Sequence, residues 1–174
     1  MDYNNPAQIQ PNALQYESQS AFHCLCFNNL LHLRTRPNLF RNSMTNQDLV
    51  ATAWKAREHA SAPYSHYRVG AALLTESGNV YTGANVESSS YGLSICAERV
   101  ALTKAISEGE KSRFIRIAVV AEGRHTPVPC GACRQLLADY APDVEILLSG
   151  TPGQFEFTRL SDIFPRPFSS DFLK

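Results

Sequence analysis

Two short stretches carry the residues that can do chemistry. One is Cys96-Ala97-Glu98-Arg99, the other Pro129-Cys130-Gly131-Ala132-Cys133-Arg134-Gln135. The three cysteines read as ligands of one zinc ion. Cys130 and Cys133 form a C-x-x-C pair at the start of an expected helix, and Cys96 stands at the start of another. A thiolate ligand must stay deprotonated, and the free N–H groups and dipole of a helix N-terminus favour that charge. Three thiolates leave one tetrahedral position open to water, which is the arrangement of a catalytic site. A structural zinc would need a fourth protein ligand, and His125 is the candidate nearest Cys130. Glu98 lies two residues after Cys96, close enough to exchange protons with that water without binding the metal. So much thiolate donation weakens zinc as a Lewis acid. Arg99 and Arg134 each follow a ligand, and both are expected to donate to the sulfurs and offset their charge.

The elements that must position these residues alternate along the chain. Thr45-Asn46-Gln47-Asp48 has capping-box spacing, Leu49, Val50, Ala53, Trp54 and Ala60 follow at helical intervals, and the helix is expected to end near Ala60 because Pro63 cannot continue it. Val69 to Thr75 and Asn79 to Ala84 read as strands joined by the turn Glu76-Ser77-Gly78. The helix from Cys96 to Ser107 is expected to bury Ala97, Val100, Ala101 and Ala105 and to stop at Gly109. Arg113 to Ala121 reads as a buried strand. A helix over Gly131 to Tyr140 puts Leu136, Leu137 and Tyr140 on one face, and strands follow at Val144 to Leu148 and Phe155 to Thr158. The alternation predicts an α/β fold, a mixed sheet covered by helices on both faces in an α/β/α sandwich. Asn85 and Glu87 are two apart on an extended segment and so share a face. An amide and a carboxylate side by side suit a diol.

Bulk properties narrow the function. A formal net charge of +0 with 18% charged residues argues against a basic nucleic-acid binder. No apolar run reaches the ~20 residues of a membrane span. Five cysteines cannot all pair within one chain. A C-x-x-C at a helix start fits metal binding in a reducing compartment, the cytosol. Residues 1–43 differ from the rest, being rich in Asn, Gln and Ser and free of Lys and Arg before Arg34. They fit neither a secretory signal nor a mitochondrial presequence and are expected to be a disordered extension of a domain spanning 44–174. Met44 as the natural start is the alternative. Cys24-x-Cys26 in that extension reads as thiols of a tail rather than as a second metal site.

The joint pattern of Cys96-Ala97-Glu98-Arg99 and Pro129 to Gln135 resembles the homotetrameric, free-nucleoside cytidine deaminases. Tyr64-Ser65-His66-Tyr67, Val69 to Leu74, Gly83 to Glu87 and Tyr91 to Ile95 extend the resemblance from about Thr45 to the C-terminus. It implies the same α/β/α fold and zinc-dependent hydrolysis of cytidine and 2′-deoxycytidine to uridine, 2′-deoxyuridine and ammonia, in pyrimidine salvage. Glu98 would be the proton shuttle. It implies substrate contacts from Asn85 and Glu87 on the ribose, from Tyr67 at the pyrimidine face, and from Ala97. Tyr67 stands where the family usually has Phe, so its hydroxyl needs a partner. It implies a homotetramer with shared sites, Phe168 reaching a neighbouring subunit's site on an arm that Pro165 and Pro167 stiffen. Two rivals remain, a deaminase of another amine or of polynucleotides, and a zinc-binding assembly protein without activity. Asn85-Val86-Glu87 and the neutral charge argue against the first, and Glu98 against the second.

Overall fold

The strand β1, Val69–Thr75, sits at the centre of the packing, and its side chains alternate between two cores. Ala71 and Leu73 face one cluster, whereas Ala72 and Leu74 face another. Both faces are covered, so the strand is apolar at nearly every position instead of alternating with polar residues. Each leucine removed from water stabilises the fold by about 1.5–3 kcal/mol. The structure is a computed structural model and describes residues 44–123 and 125–173. The extension 1–43, its expected disorder and Cys24-x-Cys26 lie outside the described residues.

The remaining elements are α1 (Asn46–Arg57), β2 (Val80–Ala84), α2 (Ala97–Ser107), β3 (Phe114–Ala121), α3 (Gly131–Tyr140), β4 (Glu145–Ser149), β5 (Glu156–Arg159) and α4 (Leu160–Ile163). Short 3₁₀ turns occur at Tyr91–Leu93 and Ser170–Leu173. The five strands run in the order β2-β1-β3-β4-β5. Only the β3–β4 pairing is parallel, so the sheet is mixed. Helix α1 covers one face with Leu49, Val50 and Ala53, and α2 and α3 cover the other with Ala101, Leu102 and Leu137. This is the α/β/α sandwich that the alternation predicts.

The topology sets where the chemistry falls. Strand β2 leads through α2 into β3, and β3 leads through α3 into β4. Strands β2, β3 and β4 all point the same way, because β1 is antiparallel to both β2 and β3. Both helices therefore begin at the same edge, beyond the carboxyl ends of the strands, where open α/β sheets bind ligands. Gly83 brings α2 close. A Cβ there would lie 2.3 Å from the Ala97 carbonyl oxygen and 2.5 Å from the Ala101 nitrogen. Gly70 does the same for α1, with the Ala53 carbonyl oxygen at 2.2 Å from such a Cβ.

At the opposite edge a single carboxylate ties three segments together. Glu110 accepts from Asn79 Nδ2 at 2.8 Å, Tyr81 Oη at 3.2 Å and Ser77 Oγ at 3.5 Å. It also accepts from the backbone N–H groups of Lys111 and Ser112 and from Ser112 Oγ. The β1–β2 turn and the α2–β3 loop share this one anchor.

Several expectations shift in detail. The Thr45–Asp48 capping box is present, but α1 stops at Arg57. The next residues tighten, His59 and Ala60 each bonding the carbonyl three residues back. In α2, Leu102 is buried and Val100 only half-buried, because the helix packs on α3 as well as on the sheet. Tyr140 is exposed at the end of α3. The tail is not wholly extended. Ser170–Leu173 forms a 3₁₀ turn that stacks Phe172 on Phe168, ring centroids 5.7 Å apart. Gln135 on α3 grips the Phe168 backbone from both sides, donating to its carbonyl at 2.8 Å and accepting from its N–H at 3.2 Å. Phe164 packs against its own chain's core.

Candidate active site

Cys96 and Cys130 are the N-caps of α2 and α3, with extended backbone angles, and neither side chain caps its own helix. Their sulfurs are thus left to face each other, 3.8 Å apart. Cys133, buried in the first turn of α3, brings its sulfur to 3.6 Å from that of Cys130. All three ligand atoms lie within 4.8 Å of one another. Tetrahedral zinc with bonds near 2.3 Å would separate its sulfurs by about 3.8 Å, so the donor set fits the ion. Charge agrees with geometry. Hydrogen bonds from Cys133, Arg99 and Cys130 draw the Cys96 thiol down to about 5. The Cys133 thiol is pushed up by its bond to Cys96 and by burial. A cluster that resists holding three negative charges unaided is one that a divalent cation completes.

Glu98, the second residue of α2, is only 4% exposed. Burial raises its pKa above the usual carboxylate value, and the nearby Cys96 adds to the rise. The carboxyl group borders a cavity of about 440 Å³, with Cys96, Cys130, Tyr67, Asn85 and Glu87 also on its wall. That volume lies in the range of small-molecule sites. Asn85 and Glu87 both border the cavity, as does Val86 between them. Asn85 and Glu87 also hold the wall in place. Asn85 accepts from the Val69 N–H at 2.8 Å and donates to the Tyr67 carbonyl at 2.9 Å. Glu87 accepts from the N–H groups of Tyr64 and Ser65 at 2.9 and 3.1 Å, and from Ser65 Oγ. The Ser65 bonds pull the Glu87 pKa below its ordinary value.

Residues 43–147 match the model of the cytidine and deoxycytidylate deaminase zinc-binding region. This chain belongs to that family. The family's metal is zinc, and the Cys96, Cys130 and Cys133 cluster is able to hold it. The cytidine deaminase of Halalkalibacterium halodurans is 45% identical over 74% of this chain and 97% of its own length. That of Sporosarcina psychrophila is 43% identical over 75% of this chain and 96% of its own. Among solved structures, the cytidine deaminase from Burkholderia pseudomallei superposes with a TM-score of 0.69 at 44% identity, covering 72% of this chain and all of that one.

Within this family member, the two arginines part company. Arg99 Nη2 lies 3.9 Å from the Cys96 sulfur and donates to the Ser94 carbonyl at 2.8 Å. Arg134, expected to donate to a sulfur, instead donates to the carbonyls of Pro129 and Ile163, at 2.7 and 2.8 Å. It ties the residue before Cys130 to the end of α4. Ala97, expected to contact substrate, is fully buried against the sheet, and the cavity is bordered by its neighbours Cys96 and Glu98. Phe168 is 56% exposed and stands outside its own chain's cavity. Tyr67 borders the cavity, and its hydroxyl has no hydrogen-bond partner among the described residues. Burial, then Glu98, raises its pKa.

The sequence reading gave no role to Tyr64, Ser65 or Tyr91, all on the cavity wall. Tyr64 and Tyr91 meet edge to face at 6.2 Å. Ser65 precedes His66, which takes a left-handed φ of 58°. Histidine enters that region more often than most non-glycine residues, but its type alone does not require it, so the turn that sets Ser65 against Glu87 has only a weak local signature.

Proposed function

We propose that this chain hydrolytically deaminates cytidine and 2′-deoxycytidine to uridine and 2′-deoxyuridine, releasing ammonia, in pyrimidine salvage. The observation that carries the reading is the buried Glu98 on the wall of the cavity that Cys96 and Cys130 also border. Bound by Cys96, Cys130 and Cys133, zinc supplies the Lewis acidity that brings a water's pKa toward ~7. Glu98 takes a proton from the attacking water on a carboxylate oxygen and delivers it to N3 of the ring, then takes the second proton from the hydroxyl left on C4 and delivers it to the departing amine. The water's oxygen ends on C4, the bond from C4 to the exocyclic nitrogen breaks, and ammonia leaves. A pKa raised by burial makes this carboxyl a better proton acceptor than an exposed glutamate. Arg99 offsets the charge of Cys96. Asn85 and Glu87 bind the sugar hydroxyls, and the Tyr67 ring packs on the pyrimidine.

The protein acts as a cytosolic homotetramer in which Phe168 reaches the site of a neighbouring subunit. Support comes from the exposure of Phe168 and from Tyr91 and Leu93, which are 77% and 70% exposed. No helix among the described residues is long and apolar enough to cross a membrane. Residues 1–43 form an extension that the domain from Met44 onward does not need. The deciding assay is ammonia release from cytidine by zinc-loaded protein, run on the full chain and on one starting at Met44. Equal turnover is expected. No release from either overturns the reaction, and loss in the shorter chain alone overturns the dispensable extension.

A further inference from the structure

Glu87 has little acceptor capacity to spare. An ionised carboxylate offers about four lone-pair sites, and three are taken by the Tyr64 N–H, the Ser65 N–H and Ser65 Oγ. Both backbone bonds go to Oε2, so the face left for a ligand is on Oε1, beside the Ser65 hydroxyl. That hydroxyl is itself directed. Its oxygen accepts from the Tyr67 N–H at 3.0 Å, so its single proton is turned to Glu87. Across the same turn, Asn85 holds the Tyr67 carbonyl and the Val69 N–H. One short loop, with a left-handed φ at His66, thus joins Asn85 and Glu87, two of the polar side chains that border the cavity.

We infer that Ser65 is a positioning residue that fixes the Glu87 carboxylate for its ligand through the hydroxyl bond to Oε1. The inference rests on the nucleoside reading above. Ser65 needs no contact of its own with the substrate. Its hydroxyl proton goes to the carboxylate and its oxygen to the chain. Without it, Glu87 keeps its two backbone bonds on Oε2, while Oε1 is free to rotate or to take a water. The carboxylate then meets the sugar in several orientations, and binding weakens while the distant deamination step is unchanged.

The test is steady-state kinetics on zinc-loaded full-length protein with cytidine. Ser65→Ala is expected to raise KM ~tenfold with kcat within ~twofold, the pattern of lost binding that is uniform between ground and transition states. Ser65→Thr, which keeps the hydroxyl, should recover most of the loss. Added to Glu87→Ala, the Ser65→Ala change should raise KM by less than ~twofold more, since its target is gone. An unchanged KM in Ser65→Ala, or an equal rise in the Glu87→Ala background, overturns the positioning role. A fall in kcat alone overturns it too. If the wild-type protein does not turn over cytidine, the nucleoside reading falls and this inference with it. If the wild type is active and the cycle fails, only the inference falls.

Discussion

The starts of α2 and α3 use the same device and are built in opposite ways. Each begins with a cysteine at the N-cap. On α2 the next two residues, Ala97 and Glu98, are buried, and Gly83 lets the sheet press against that turn. On α3 the next two residues, Gly131 and Ala132, are exposed, and a Cβ on Gly131 would meet nothing within 4 Å. The residue two beyond the cap is an acid on α2 and a small apolar residue on α3. The residue three beyond is the arginine beside Cys96 on α2 and a second thiol on α3. The difference separates two tasks. The packed start buries a carboxyl group, and burial raises its pKa. The open start contributes sulfurs and little else.

Metal content is where the two starts should behave alike. Cys130→Ala on the open start is expected to lose zinc and with it nearly all turnover, read by metal analysis and ammonia release. Retained zinc would place the ion elsewhere. Proton transfer should set them apart. Glu98→Ala on the packed start is expected to keep zinc while turnover drops by ~10²–10⁴. Near-native kcat in that variant would remove the task assigned to the packed start. Stability gives the mildest contrast. Gly83→Ala forces a Cβ into the backbone of α2 and should cost ~1–3 kcal/mol or more in denaturant unfolding. Gly131→Ala adds a methyl group to open space at a helical position and should be neutral or stabilising by up to ~1 kcal/mol. Equal losses in both would erase the distinction between a packed and an open start.

Much of this was legible in the residues. The run Val69 to Thr75 is a strand with the ends read from its apolar pattern, and the helix from Gly131 to Tyr140 has the span read from its sequence. The ligand set is legible because metal binding demands particular atoms at particular spacings. What was not legible depends on contacts between distant segments. The place of β1 between β2 and β3 comes from pairing across the sheet, and the burial of Leu102 from a core that strands and helices build together. Closeness to a ligand in sequence suggested the same role for Arg99 and Arg134. The direction of each side chain decided otherwise, toward a sulfur for one and toward two carbonyls for the other. Ser65 was hidden because its role comes from a backbone reversal rather than from its type.

The Glu110 anchor gives the molecule an acid-sensitive end. Its side-chain bonds from Asn79 and Ser112 hold its pKa down to about 2, against an ordinary value of 4.5. A group depressed in the folded state adds stability above its unfolded pKa and loses it as pH falls. The contribution is therefore whole near neutrality and fades between about 4.5 and about 2. Glu110→Gln should flatten the acid limb of the thermal midpoint in that window, and an unchanged limb would mean that the anchor does not govern it. The turn and loop it ties lie at the sheet edge away from the cysteines. On acidification, the amides of Lys111 and Ser112 should lose hydrogen-exchange protection as this anchor protonates, so that loosening from this cause starts at the edge opposite the reaction.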